Sequence, residues 1–249
     1  MANILAVYSI KGGVGKTSSA VNLAYQFSLE GKKVLLIDLD PQGASGFYFK
    51  IKPKKKFSSD VLIDKKESLL PFIRESDYNN LDVLPSKLGY RHLDTDLDNL
   101  KNNKDGLKKN LKELKKDYDI IVIDCPPNIT LLSENVFSAA NILLLPLIPS
   151  PLSERTFTQL KDFLNKKEFG KLKILPFFSM VEKRKKVHIE TMVSLRNKNK
   201  NILETIIPRS ADVEKMGINM SPVQCFAGRR ISGTAFKELG QEILNKIGE

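Results

Sequence analysis

Short runs rich in Val, Ile and Leu recur along the chain, at Ile4–Val7, Val34–Ile37, Leu81–Leu84, Ile120–Ile123, Ile142–Leu147, Leu172–Phe178 and Ile202–Ile207. Apolar runs of this length are the pattern of strands buried on both faces. Between most of them the apolar residues fall at helical spacing, as in Ala20, Leu23, Ala24 and Phe27, or in Leu107, Leu111 and Leu114. Strand alternating with helix predicts an α/β fold: a Rossmann-like, mostly parallel twisted sheet with right-handed crossovers and helices on both faces. The stretch 42–80 fits this rhythm least. It carries the lysine-rich run Lys50–Lys56 and is read as a surface excursion of a single domain spanning 1–249. The last segment, Thr234–Ile247, sets Phe236, Leu239, Ile243 and Ile247 on one stripe opposite charges of both signs, which predicts a core-packing helix and not a basic membrane anchor.

Size and composition agree with that reading. A chain of 249 residues that is 41% hydrophobic and 28% charged can bury one sizeable core without disulfides. No apolar run approaches the roughly 18 residues that cross a bilayer. The first residues lack a basic leader and run directly into a glycine loop, so they read as the first core strand of a cytoplasmic protein. Cys125 and Cys225 lie too far apart in sequence to suggest a metal or disulfide framework, and both are expected to be buried, inert thiols. The net charge of +11 makes a polyanionic partner plausible, although a lysine-rich surface alone does not require one.

The strongest chemical signal follows the first apolar run. Ser9-Ile10-Lys11-Gly12-Gly13-Val14-Gly15-Lys16-Thr17-Ser18 sits between a strand and the start of a helix, the context of a phosphate cradle. Its glycines let backbone N–H groups close on phosphates, and the helix N-terminus adds partial positive charge. Lys16 is placed to reach the β- and γ-phosphates, and the Thr17 hydroxyl to bind Mg²⁺. Ile10 stands where the ordinary loop has glycine, and Lys11 supplies a second cation. Two acidic positions accompany the loop. Val34–Ile37 ends in Asp38-Leu39-Asp40, and Ile120–Ile123 ends in Asp124-Cys125-Pro126-Pro127. An aspartate after an apolar strand is often only a helix cap; in company with the loop and the Asp38/Asp40 pair, Asp124 reads as a carboxylate for the Mg²⁺ shell.

The pattern K-G-G-x-G-K-[ST] resembles the deviant Walker A ATPases, which include ParA/Soj-type partition ATPases, the division-site regulator MinD and the nitrogenase iron protein. Asn80–Ser86, Tyr118–Pro127, Leu144–Ser150, Phe178–Val181 and Ile206–Ser210 resemble the partition branch, so the likeness covers nearly the whole chain outside the lysine-rich stretch. The resemblance implies an ATPase using ATP/ADP and Mg²⁺. It implies Lys11, Lys16 and Asp40 as catalytic groups, with Asp40 directing the attacking water and Lys11 crossing a homodimer interface to the partner's nucleotide. It implies Lys11, Gly12, Gly13, Val14, Gly15, Lys16, Thr17 and Ser18 around the phosphates, with Thr17, Asp38 and Asp124 serving the metal, Asp38 through water. Met180, Pro208 and Ser210 are implied beside the base, though strand-end packing would also account for them.

Within that class, a nitrogenase-type cluster carrier finds no suitable setting around Cys225, and a MinD-like or other cargo-positioning regulator is the alternative to partition. A purely structural module has no need of Lys11, Lys16, Asp40 and Asp124 together. Lys183, Arg184, Lys185, Lys186, Arg209, Arg229 and Arg230 are candidate contacts to nonspecific DNA if a dimer aligns them, although any one of them alone fits a solvated face better. The partition resemblance implies an ATP-state homodimer on the nucleoid, reset by slow hydrolysis that a ParB-like centromere-binding protein stimulates, without stable membrane association.

Overall fold

The computed structural model describes residues 2–54, 60–63, 68–99, 105–167, 169 and 171–248. Among these, β1 (Asn3–Val7), β2 (Val34–Asp38), β3 (Arg74–Glu75), β4 (Leu81–Leu84), β5 (Ile120–Asp124), β6 (Ile142–Leu147), β7 (Lys173–Val181) and β8 (Ile206–Pro208) form one sheet. Its spatial order is β3-β4-β2-β5-β1-β6-β7-β8. Every pairing is parallel except β3 against β4. The result is the expected Rossmann-like P-loop fold.

Alternate residues of each central strand enter different cores. Ile4 and Ala6 of β1, Leu35 and Ile37 of β2, and Ile121 and Ile123 of β5 join one core, and Leu5, Val7, Leu36 and Val122 join the other. The helices Gly106–Leu114, Leu131–Ala139 and Pro151–Lys166 cover the first face through Leu111, Val136 and Leu160. The helices Lys16–Leu29 and Ile231–Gly248 cover the second through Leu23, Phe27, Phe236 and Leu239. Continuous apolar runs are required because both faces of the sheet are buried.

The C-terminal helix Ile231–Gly248 is a core element, as its stripe predicts. Phe236, Leu239 and Ile243 are each almost fully buried. At roughly 1.5–3 kcal/mol per buried side chain, exposing these three to water would forfeit roughly 5–9 kcal/mol. No helix among the described residues is long and apolar enough to cross a membrane.

Three expectations are corrected. The stretch 42–80 is not merely a surface excursion: Ser45, Leu62 and Leu69 are buried, because the segment crosses from the sheet's carboxyl end onto a core face. It also supplies β3, whose two exposed residues carry no apolar signal. Of its lysine run, Lys50, Lys52 and Lys54 are exposed and Lys55 and Lys56 lie outside the described residues. The final apolar run is strand only over Ile206–Pro208; Ile202 and Leu203 are buried ahead of it, with the Leu203 N–H donating to the Pro176 carbonyl at 2.8 Å. Finally, Cys125 is buried but Cys225 is exposed, on the short surface helix Val223–Ala227.

Candidate functional site

β5 lies between β1 and β2, and the register sets Val7 and Asp38 on either side of Asp124. The phosphate loop and both acidic turns therefore leave the sheet at one place, its carboxyl edge, where ligands of such sheets bind. A cavity of about 380 Å³ opens there. It is lined by Gly12, Gly13, Gly15, Lys16, Thr17 and Ser18 of the loop and by Ser179, Met180, Ile207, Pro208, Arg209 and Ser210. Asp40, Tyr48 and Pro127 also line it. A volume of this size accommodates a small-molecule ligand.

The loop's backbone explains its glycines. Gly13 and Gly15 take φ of 70° and 90°, in the left-handed region that glycine enters without steric cost. Gly15 is the N-cap of the helix Lys16–Leu29 and provides no side-chain cap, and the first turn holds no acidic residue. The helix N–H groups that lack intrahelical partners are thus left for an anion. A Cβ on Gly12 or Gly13 would meet nothing within 4 Å, so the space over the loop is open. Lys16 is buried and its Nζ donates to the Lys11 carbonyl at 3.0 Å. Burial pushes the Lys16 ammonium below the usual lysine range, while Asp124 and Asp40 oppose that shift.

Lys11 does not line this cavity although Gly12 and Gly13 do. With Val14 it lines a separate narrow groove together with Ile10, Leu147 and Phe157. Val14, expected at the phosphates, is buried against that groove.

The three carboxylates sit in different surroundings. Asp38 is fully buried. Its Oδ1 accepts the Asp40 N–H at 3.1 Å, and its Oδ2 accepts the N–H groups of Ser45 at 3.0 Å and Gly46 at 3.3 Å. Backbone N–H groups reach both of its oxygens, so it organises the 40–46 turn, and the register places it beside Asp124. Asp40 lines the cavity and its Oδ1 accepts the Gln42 N–H at 3.0 Å. Asp124 is fully buried and its Oδ2 accepts the Ser45 hydroxyl at 2.9 Å. Its Oδ1 is buried with no hydrogen-bond partner. Burial raises Asp124 to about 6, against the pull of the Thr17 and Ser45 hydroxyls and of Lys16. A buried carboxylate oxygen without a donor, beside a hydroxyl and at the edge of a phosphate cradle, fits a hard cation. Mg²⁺ is a cation of this kind, binding through one or two carboxylates beside waters and ligand phosphate oxygens.

Near the end of β7, Met180 holds φ at 54°, a strained left-handed conformation of the kind found at ligand sites. The Ser210 hydroxyl caps the following turn at the Asp212 N–H, 3.1 Å away. The loop after β5 is fixed by the Tyr8 hydroxyl, which donates to the Asn128 carbonyl at 2.9 Å. Cys125 below it is inert, since burial pushes its thiol well above the usual range.

The basic candidates are all exposed. Lys185 and Arg209 both pair with Glu182, at 2.7 and 3.3 Å, and Arg209 also lines the cavity rim. Lys186 pairs with Glu190 and Arg230 with Asp212. Lys183, Arg184 and Arg229 lie beside them on the surface. Exposed pairs of this kind are worth about 0–1 kcal/mol, so they do not withhold these cations from phosphates. Sequence reasoning missed Tyr48, Ser179 and Ser45. None belongs to a phosphate motif, and each reaches the site through the fold.

The AAA domain family model matches residues 2–174. The chromosome-partitioning ATPase Soj of Treponema pallidum is 29% identical over 256 residues, covering 100% of both chains. The sporulation initiation inhibitor protein Soj of Bacillus subtilis is 26% identical, covering 98% of each. A plasmid partition protein of Borrelia burgdorferi, solved bound to AMPPNP, superposes with a TM-score of 0.87 at 25% identity, over 99% of this chain and 100% of that one.

Proposed function

Because the chain belongs to the AAA domain family and is a ParA/Soj-type P-loop partition ATPase, we propose that it works as an ATP-driven dimer switch that holds nonspecific DNA. ATP lies in the cavity at the sheet's carboxyl edge, its phosphates on the N–H groups of the 12–18 loop and its base between Met180, Pro208 and Ser210. Thr17 and Asp124 would hold Mg²⁺, with Asp38 reaching it through water, and the cation would supply positive charge to the phosphates. Lys16 reaches the same phosphates. Asp40, on the cavity wall, orients the attacking water.

The observation that carries the switch is the placement of Lys11. It flanks the phosphate loop yet lines a groove outside its own cavity, which leaves it available to a second nucleotide. ATP can drive dimerisation only if it binds the dimer more tightly than the monomer, and a Lys11 contact across the interface is such a differential. The exposed cations at 183–186, 209, 229 and 230 then contact DNA phosphates in the dimer, and the protein resides on the nucleoid in the cytoplasm. A ParB-like partner stimulates hydrolysis and returns it to monomer. The cargo is a chromosome or plasmid.

Retention of the full chain on random-sequence duplex DNA, with sedimentation in parallel, tests this reading. Mg²⁺ with ATP should give a dimer retained at low salt and released as salt rises. Changing Lys183–Lys186 to glutamates should weaken retention without changing ATP binding. Equal retention in ADP and ATP, or a monomer in saturating ATP, refutes the switch.

A further inference from the structure

We propose that Ser45 is a positioning residue that couples the metal carboxylate Asp124 to the turn carrying Asp40. The inference rests on the nucleotide reading above and adds a residue that the phosphate motifs do not contain. Four residues form one continuous path. The Ser45 hydroxyl donates to Asp124 Oδ2 at 2.9 Å, and the Ser45 N–H donates to Asp38 Oδ2 at 3.0 Å. Asp38 Oδ1 in turn accepts the Asp40 N–H at 3.1 Å. Ser45, Asp38 and Asp124 are fully buried, so no bulk water can substitute for a lost partner.

Two consequences follow from this geometry. The hydroxyl occupies Oδ2 and leaves Oδ1 as the oxygen that addresses the cation, so Ser45 fixes the rotation of the Asp124 carboxylate. Ser45 also sits on the short helix Ala44–Tyr48, whose first N–H groups are clamped by Asp38. Any displacement of Asp124 on engaging the cation is passed through one hydroxyl to that backbone, and through Asp38 to Asp40. The segment has little slack in which to absorb it. Gly43 takes φ of 66°, and a Cβ on Gly46 would stand 3.0 Å from the Ile51 carbonyl and 3.1 Å from Pro85 Cβ.

Ser45→Ala removes the hydroxyl but keeps the N–H to Asp38, so the turn retains its own clamp and loses only the link to Asp124. A hydrogen bond to a buried carboxylate is worth about tenfold or more in an equilibrium. The variant should bind a non-hydrolysable ATP analogue with Mg²⁺ but lose about tenfold in kcat, with KM for ATP changed less than about threefold. Hydrogen exchange supplies a readout besides activity. In the wild type, Mg²⁺ with the analogue should slow exchange across 40–46, and in Ser45→Ala that slowing should vanish while the phosphate loop is still protected. Wild-type slowing in Ser45→Ala, or a loss shared equally by kcat, KM and core protection, overturns the coupling alone. Failure of the wild type to bind the analogue with Mg²⁺ overturns the nucleotide reading and the coupling with it.

Discussion

Replacing Asp124 by Asn probes the electrostatic state of the site without nucleotide. β2 and β5 end side by side in Asp38 and Asp124, both fully buried. Burial first, and then Asp124's charge, push Asp38 well above the usual carboxylate range, and burial lifts Asp124 from 3.8 to about 6. A carboxyl raised on folding binds its proton more tightly in the native state. Its contribution is favourable below the unfolded value and is lost as pH rises through the folded one, here between about 4 and 6. The displacement of Asp124 corresponds to about 3 kcal/mol against the folded state above pH 7. At pH 5 about half of that remains, because the unfolded carboxyl is already ionised. Asn escapes the term altogether but leaves a buried amide where Oδ1 had no partner, at about 1–3 kcal/mol independent of pH. The two effects separate on comparing conditions. Relative to wild type, Asp124→Asn should be more favourable at pH 8 than at pH 5, by on the order of 1–2 kcal/mol. Loss of Asp124's charge also eases Asp38, and the step belongs to the pair, so the difference can only grow. The chain has no tryptophan, so urea unfolding is followed by far-UV circular dichroism, in chelator and without nucleotide. A variant whose stability difference from wild type is the same at both pH values refutes the claim that burial raises the Asp124 carboxyl on folding.

Lys11→Gln should bind ATP within about threefold of wild type, since Lys11 lies outside the cavity, yet fail to dimerise; an ATP-dimer of wild-type stability by sedimentation sinks the cross-interface role. Asp40→Ala should keep ATP binding, lose about 100-fold or more in turnover and accumulate the ATP-dimer, as measured by phosphate release and sedimentation. Ordinary turnover in that variant would move the water-directing role elsewhere, because Asp38 has both oxygens engaged by backbone N–H groups.

What could be read from the chain divides by how far apart the cooperating residues lie. Phosphate binding concentrates its requirements in Lys11–Ser18, because consecutive N–H groups and a helix start make the cradle, so one short motif suffices. The sheet was visible for a similar reason: burial on both faces forces unbroken apolar runs, and all seven expected runs fall on or beside β1, β2, β4, β5, β6, β7 and β8. Only β3 escaped, because an exposed two-residue antiparallel edge has no burial to advertise. Side-chain duty was harder to read. Asp38 and Asp40 look alike as a pair, and what separates them is that the 40–46 turn folds its own N–H groups back onto Asp38, leaving Asp40 on the cavity. Backbone donors carry no residue identity. Ser45 is further from reach, since its acceptor lies 79 positions along the chain and becomes its neighbour only because β5 inserts between β1 and β2. The same insertion lets Asp124 stand beside both the phosphate loop and the turn that carries Asp40. A site able to sense a phosphate-bound cation and act on water through one buried hydroxyl therefore depends on the order of the strands, which no local motif specifies.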